Sequence, residues 1–403
     1  GHPFIKTAQV AHQLKDLSQK YGLIVDMNTR ISDLSVGEQQ RVEILKALYR
    51  QAKLLILDEP TAVLTPQETT EFFNTLRILK SEGHSIILIS HRLSEVMAIS
   101  DRITVLRDGK NISTLDTSQT TANELSRLMI GRQLATDVFE RENPPETTPV
   151  VEVRDLELLC GNKKAKLHNI HFTLHKGEIL GIAGVDGNGQ VDLAEVLCGI
   201  KKPTSGVILY HGKDIKNEGI RSRFEKGISF VPDDRHKDGL VLGADVKDNL
   251  MLRRYYTHPY SRYGVFQNRI IAEEAQKSIE QYNIKTPSIS ARVGNLSGGN
   301  QQKIILAREM GAAPQFLIAM QPTRGLDIGA AEYIHQRLLE CRNNGHSVLL
   351  ISTDLEEIML LSDRIAVMFE GKIMGVLDNN ASLDTETIGL LMGGHMPEEV
   401  KEV

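Results

Sequence analysis

Cysteine is scarce in this chain of 403 residues: Cys160, Cys198 and Cys341 are far apart and lack metal-ligand spacing. That excludes a disulfide scaffold and a thiolate metal site, and a reducing compartment is expected. Long apolar runs are missing too. No uncharged stretch approaches the ~18–20 residues that a membrane-spanning helix needs. Neither sign of charge dominates, since 47 Lys and Arg stand against 52 Asp and Glu for a net −5. Such a balance argues against binding nucleic acid by blanket charge, and no nucleic-acid partner is expected. Apolar residues at 41% and charged residues at 25% are ordinary for a globular protein, which sets aside disordered and collagen-like chains. At ~150 residues per domain, the length favours two domains.

What is present is a repeat. LSVGEQQ (34–40) and LSGGNQQ (296–302) place Ser35 and Ser297 262 residues apart. The same shift pairs Pro60-Thr61 with Pro322-Thr323, Gly83-His84-Ser85 with Gly345-His346-Ser347, and Gly109-Lys110 with Gly371-Lys372. A constant, gapless offset of that size marks a duplicated domain rather than a solenoid. Between the copies, VFERENPPETTPV (138–150) is polar, rich in proline and aperiodic, and reads as a short extended linker.

Each half alternates strand and helix. Leu54 to Leu57, Ser85 to Ile89 and Ile103 to Leu106 are short apolar runs of the buried-strand type. Residues 66–83 place Phe72, Phe73, Leu76 and Leu79 on one helical face and stop at Gly83. The expectation is an α/β fold, a mostly parallel sheet flanked on both faces by helices. The second half opens with VVEVRDLEL (150–158) and EILGIAG (178–184), which have no counterpart in the first.

Three motifs carry chemistry. GVDGNGQVDL (184–193) follows an apolar strand and precedes a helix, the setting of a phosphate-binding loop. Gly184, Gly187, Asn188 and Gly189 would turn the backbone so that its N–H groups cradle phosphate oxygens. Gln190 and Val191 stand where the pattern wants Lys and Ser/Thr, so one cation and one Mg²⁺ ligand are missing. A glycine-rich turn without a ligand is the competing reading.

LLILDEPT (54–61) is a strand ending in two carboxylates, and ligands gather at such strand ends in open parallel sheets. Asp58 can hold Mg²⁺ and Glu59 can polarise the attacking water. A bare acidic turn is the bland alternative. His91, at the end of the next strand, is the expected γ-phosphate contact. In the third motif, Ser35 and Glu38 read as a capping box that opens a helix. The same turn, Ser35, Val36, Gly37 and Glu38, also suits an anion through its amides and the helix dipole.

Together these residues resemble the ATP-binding subunit of an ABC transporter, of the type with two nucleotide-binding domains in one chain that serves nucleoside and sugar importers. LSVGEQQRVEILKALYR, LDEPTAVLTPQE, GVDGNGQ, VPDDRHKDGL, LSGGNQQKIILARE and QPTRGLD carry the likeness, which spans essentially the whole chain. The resemblance implies tandem P-loop NTPase-type domains with helical subdomains, acting with ATP and Mg²⁺. It implies a transmembrane permease as partner, an extracellular solute-binding protein reached through it, and a peripheral place on the cytoplasmic face of a bacterial membrane. In that family, each ATP lies between one domain's phosphate loop and the other's signature.

The offset then assigns roles. Met320, Gln321 and Thr353 stand where Asp58, Glu59 and His91 stand in the first half. The second half is therefore expected to lack hydrolysis, while its signature Ser297, Gly298, Gly299 and Asn300 is intact and is expected to serve Asp58, Glu59 and His91. The expected division is residues 1–137 for the C-terminal part of a first nucleotide-binding domain, 138–149 for the linker and 150–403 for a second domain. The first domain's phosphate loop would precede Gly1, so the chain is read as N-terminally incomplete and impaired alone. DDRHKDGLVLGADVKDNLMLRRYY (233–256), with Arg235, Asp238, Leu240, Val241, Leu242 and Leu250, is the expected permease surface. Two alternatives stay open: a catalytically dead regulatory module, and a soluble tandem ABC protein acting on ribosomes.

Overall fold

The computed structural model describes residues 7–27, 29–31, 34, 36–61, 66–90, 92–107, 109–130, 143–160, 164–380 and 383–395. They fall into two compact units, Gly1–Ala135 and Thr136–Val403. The first unit runs α1 (Thr7–Tyr21), α2 (Val36–Tyr49), β1 (Leu54–Asp58), α3 (Pro66–Ser81) and β2 (Ser85–Ile89). It continues with α4 (Leu93–Ile99), β3 (Arg102–Arg107), β4 (Lys110–Asp116) and α5 (Ala122–Ile130).

Helix α3 shows why these residues take this form. Pro66 sits in its first turn, where its missing N–H costs nothing. Phe72, Phe73, Leu76 and Leu79 recur at helical spacing and are buried with Leu45, Leu48 and Leu55. Fully burying Leu76 and Leu79 contributes about 1.5–3 kcal/mol each. Gly83 ends the helix at φ +88°, and the amides of Gly83 and His84 donate to the carbonyls of Lys80 and Leu79.

The second unit opens with the long antiparallel strands β5 (Pro149–Cys160) and β6 (Lys164–His175), then β7 (Ile179–Ala183) and α6 (Gln190–Leu197). There follow β8 (Ser205–Tyr210), β9 (Lys213–Asp214), α7 (Ile220–Glu225), β10 (Ile228–Val231) and a single π turn over Arg235–Gly239. Next are α8 (Val246–Met251), β11 (Ser261–Arg262), β12 (Val265–Phe266), α9 (Asn268–Gln281), α10 (Gly298–Met310) and β13 (Phe316–Met320). The unit closes with α11 (Ile328–Asn343), β14 (Ser347–Ser352), α12 (Leu355–Leu361), β15 (Arg364–Phe369), β16 (Lys372–Asp378) and α13 (Thr385–Met392).

Its main sheet has the order β10-β13-β14-β7-β15-β16, parallel except for β16. A separate antiparallel sheet, β6-β5-β8-β9, packs against one face of it through Leu158, Phe172 and Ile208. The central β7 has all five residues buried, as expected of a strand covered on both faces. The stretch read as linker joins this unit before β5 begins. Glu146 N donates to the Lys176 carbonyl and Lys176 N to the Thr148 carbonyl, both at 3.0 Å.

The duplication is visible start for start. Helices α2, α3 and α4 begin 262 residues before α10, α11 and α12, and β1 to β4 hold the same offset from β13 to β16. One expectation fails. Strands β1 and β2 are not buried on both faces: Ile56 is 64% exposed, whereas its counterpart Ile318 is fully buried. Leu54, Ile87 and Ile89 are exposed likewise, against buried Phe316, Leu349 and Ile351. The cause is the cover. In the second unit α6 and the antiparallel sheet lie on that face, and β7 lies between β14 and β15. Among the described residues of the first unit, β1–β2 and β3–β4 are separate two-stranded sheets with no strand between them.

Candidate functional site

The phosphate-type loop forms as the spacing predicts. β7 ends at Ala183, the chain turns through Gly184–Gly189, and α6 starts at Gln190. Gly187 and Gly189 have φ of +91° and +102°. A Cβ on Gly189 would stand 2.8 Å from the Lys166 carbonyl, and one on Gly184 would stand 2.6 Å from that of Met368. These two positions therefore require glycine. Asn188 ties the loop to the β15–β16 turn: its Oδ1 accepts from Glu370 N at 2.9 Å and its carbonyl from Gly371 N at 2.8 Å.

Gly189 caps α6, and no side chain bonds its first amides as a cap. Gln190 is buried and folds back, its Nε2 donating to the Val185 carbonyl at 2.9 Å. Val191 is exposed where a hydroxyl would be wanted. Arg324, which the sequence reading left unused, brings its Nη2 to 3.9 Å from Asp186 at the loop.

At the carboxyl end of β13, Gln321 is held at φ +45° with its amide donating to the Ile351 carbonyl at 2.7 Å. Its side chain meets Thr353, whose Oγ1 lies 3.2 Å from Gln321 Nε2. Sequence offset alone therefore identified two positions that touch. With Met320 and Gln321 at this strand end, there is no carboxylate to hold a divalent cation.

The first unit builds the matching strand end. Asp58 closes β1, and Glu59 follows at φ +47° with its amide donating to the Ile89 carbonyl at 2.9 Å. Two adjacent carboxylates at a strand end fit Mg²⁺, which takes one or two carboxylate ligands and keeps waters or phosphate oxygens for the rest. Among the described residues no group of three or more such ligands occurs, so protein side chains alone do not make a closed cage. His91 and Ser35 lie outside the described residues. Val36 starts α2, Gly37 is buried and Glu38 is half-buried in its first turn. Gln40 Nε2 donates to the Pro60 carbonyl at 2.5 Å, which links the signature helix to the DEPT turn.

A residue missed by sequence reasoning organises this strand end. Buried Glu95 accepts from Thr61 Oγ1 at 2.6 Å and from Ser90 Oγ at 3.2 Å, and pairs with Arg92 Nη1 at 3.2 Å. The second unit repeats it, with Thr323 Oγ1 donating to Glu357 at 2.7 Å. The signal was available, because the offset that pairs Thr61 with Thr323 also pairs Glu95 with Glu357.

The intact signature behaves differently from a capping box. Ser297 is the N-cap of α10 but bonds no helix amide; Asn300 Nδ2 donates to its Oγ at 2.9 Å. Asn300 Oδ1 in turn accepts from Lys285 N at 2.7 Å. A Cβ on Gly299 would touch that of Ala330 at 3.0 Å, and one on Gly298 would stand 2.9 Å from Arg235 Nη2. The segment 233–256, read as a permease surface, mixes exposed Asp234, His236, Lys237 and Asp238 with buried apolar residues. Leu240 and Leu250 are buried in the main core, and Leu242 packs against it. Val241 alone of the four apolar residues is exposed. Arg235 is half-buried, its Nη1 donating to the Arg324 carbonyl at 2.9 Å.

A glycine-rich strand-to-helix turn at the carboxyl end of the central strand of a mostly parallel sheet, with a glycine pair opening a second helix, defines the class. It is an ATP-binding cassette of P-loop NTPase fold. The chain belongs to the ABC transporter family, whose sequence profile matches residues 5–62 and 167–324. It is similar to the nucleoside import ATP-binding protein NupA of Lactococcus lactis subsp. cremoris, 44% identical over 394 residues, covering 98% of this chain and 77% of that protein. It is also similar to the ribose import ATP-binding protein RbsA of the same subspecies, at 39% over 377 residues, covering 93% of this chain and 75% of that protein. A solved nucleotide-free ATP-binding cassette from an ABC transporter shares the fold, with a TM-score of 0.51 at 22% identity over 58% of this chain and 92% of that one. No helix among the described residues is long and apolar enough to cross a membrane.

Proposed function

We propose that the chain is an ATP-hydrolysing subunit of an importer for nucleosides or simple sugars, with two nucleotide-binding domains of unequal competence. The reading is supported by the contrast at one backbone position, where Glu59 in the first unit corresponds to Gln321 in the second, each following a strand end. Glu59 polarises the water that attacks the γ-phosphate, and His91 contacts that phosphate as the charge develops. Asp58 holds Mg²⁺, which when bound neutralises phosphate charge. The amides at Ser35–Glu38 and Ser297–Asn300 are the anion-binding turns. The loop Gly184–Gln190 holds nucleotide through its backbone without cleaving it, because Met320 and Gln321 offer neither a metal ligand nor a base.

The partner is a transmembrane permease on the cytoplasmic face of a bacterial membrane, fed by an extracellular solute-binding protein. Nucleoside and ribose import, in the names of the relatives above, supports this solute class. The test is reconstitution with the permease in proteoliposomes, measuring phosphate release and uptake of labelled nucleoside and ribose. Glu59→Gln is expected to stop both. Uptake that proceeds unchanged in Glu59→Gln would overturn the reading.

A further inference from the structure

The π turn Arg235–Gly239 is fastened to the signature helix α10 at three levels. At the top, Arg235 Nη1 bonds the Arg324 carbonyl while its Nη2 occupies the space a Cβ on Gly298 would need. One turn down, His236 Nε2 lies 2.8 Å from Gln301 Oε1. Gln301 spends its Nε2 on the Val293 carbonyl at 3.1 Å, so Oε1 is the acceptor and His236 the donor. Lower still, buried Arg308 Nη1 donates to the Gly239 carbonyl at 2.8 Å, and Ile305 packs where a Gly239 side chain would be.

The other end of the turn is equally fixed. Asp234 accepts from the amides of His236 and Lys237, both at 3.0 Å, and those bonds, that of Lys237 foremost, hold its carboxyl below the usual range. Arg235 Nε is buried without a partner, and burial pulls the guanidinium pKa down. An arginine kept under that penalty, in a π turn, marks a position with a task beyond filling space. Its neighbours say which. It touches the first glycine of the signature on one side and the loop after β13 on the other, so neither can shift alone.

We propose that Arg235 is a positioning residue for ATP hydrolysis: it sets the Ser297–Gly299 amides relative to loop 321–326. This deepens the ATPase reading above and rests on it.

The test uses the full transporter and Arg235→Lys, which keeps the charge and removes the fork. Turnover is expected to fall about tenfold with KM for ATP within twofold, since the signature amides act on the transition state. Amides 298–302 of the chain are expected to exchange about tenfold faster while the melting temperature moves by less than about 2 °C. Gly298→Ala should reproduce the exchange change by displacing the guanidinium, and Arg235→Ala with Gly298→Ala should be no worse than Arg235→Ala alone. Unchanged exchange at 298–302, or additive effects in the double variant, would overturn the proposal even if Arg235→Lys misfolds. A transporter without any Glu59-dependent turnover would sink the ATPase reading instead, and leaves the exchange outcome to decide whether Arg235 holds the signature.

Discussion

Glu59 and Gln321 are the same backbone feature with different chemistry. Both sit in the left-handed region, at φ +47° and +45°, one residue past a parallel strand. Each donates its amide to the neighbouring strand's carbonyl, Glu59 to Ile89 at 2.9 Å and Gln321 to Ile351 at 2.7 Å. Such a conformation costs a non-glycine residue on the order of 1–3 kcal/mol, so the surrounding turn must hold it. What it gains is a side chain fixed at the strand's carboxyl end.

The first prediction follows from that pairing. Glu59→Gln should lower ATP turnover about 10²–10⁴-fold, the usual worth of a positioned general base. The reciprocal Gln321→Glu should add no turnover, because Met320 supplies no metal ligand and Gln190 no phosphate cation. Steady-state phosphate release by the two variants in the transporter decides it. Glu59→Gln retaining a tenth of the wild-type rate would contradict the assignment.

Much of this was legible in the residues. The 262 offset located seven secondary-structure starts and foresaw the contact between positions 321 and 353, because an ungapped duplication preserves local packing. Apolar periodicity found the buried face of α3 for the same local reason. Periodicity failed at β1 and β2, since a run such as Leu54–Leu57 reads as buried whether or not anything covers it. At 233–256 the charge pattern suggested a surface, and there Asp234, His236, Lys237 and Asp238 are exposed while Leu240 and Leu250 are buried. There, half-buried Arg235 bonds Arg324, 89 positions away, which no local pattern records.

A second prediction concerns Gln190. Its amide closes the loop over Val185, where a lysine could reach a phosphate. Gln190→Lys with Val191→Ser should tighten nucleotide binding about 10–100-fold, equal to about 1.4–2.8 kcal/mol for a charge-assisted contact. No cleavage should accompany it. Calorimetry with a non-hydrolysable ATP analogue reads the change, and an unaltered affinity would mean the loop holds no nucleotide.

The third prediction concerns the carboxylate behind the DEPT turn. Glu95→Ala leaves the buried Thr61 hydroxyl without its acceptor and frees Ser90 and Arg92, a loss of about 1–3 kcal/mol. Thr61→Val should cost less, and the double variant should fall short of the sum by about 0.5–3 kcal/mol, as expected of contacting partners. Urea midpoints at constant slope provide the measurement. Simple additivity would show that the 2.6 Å contact contributes nothing of its own.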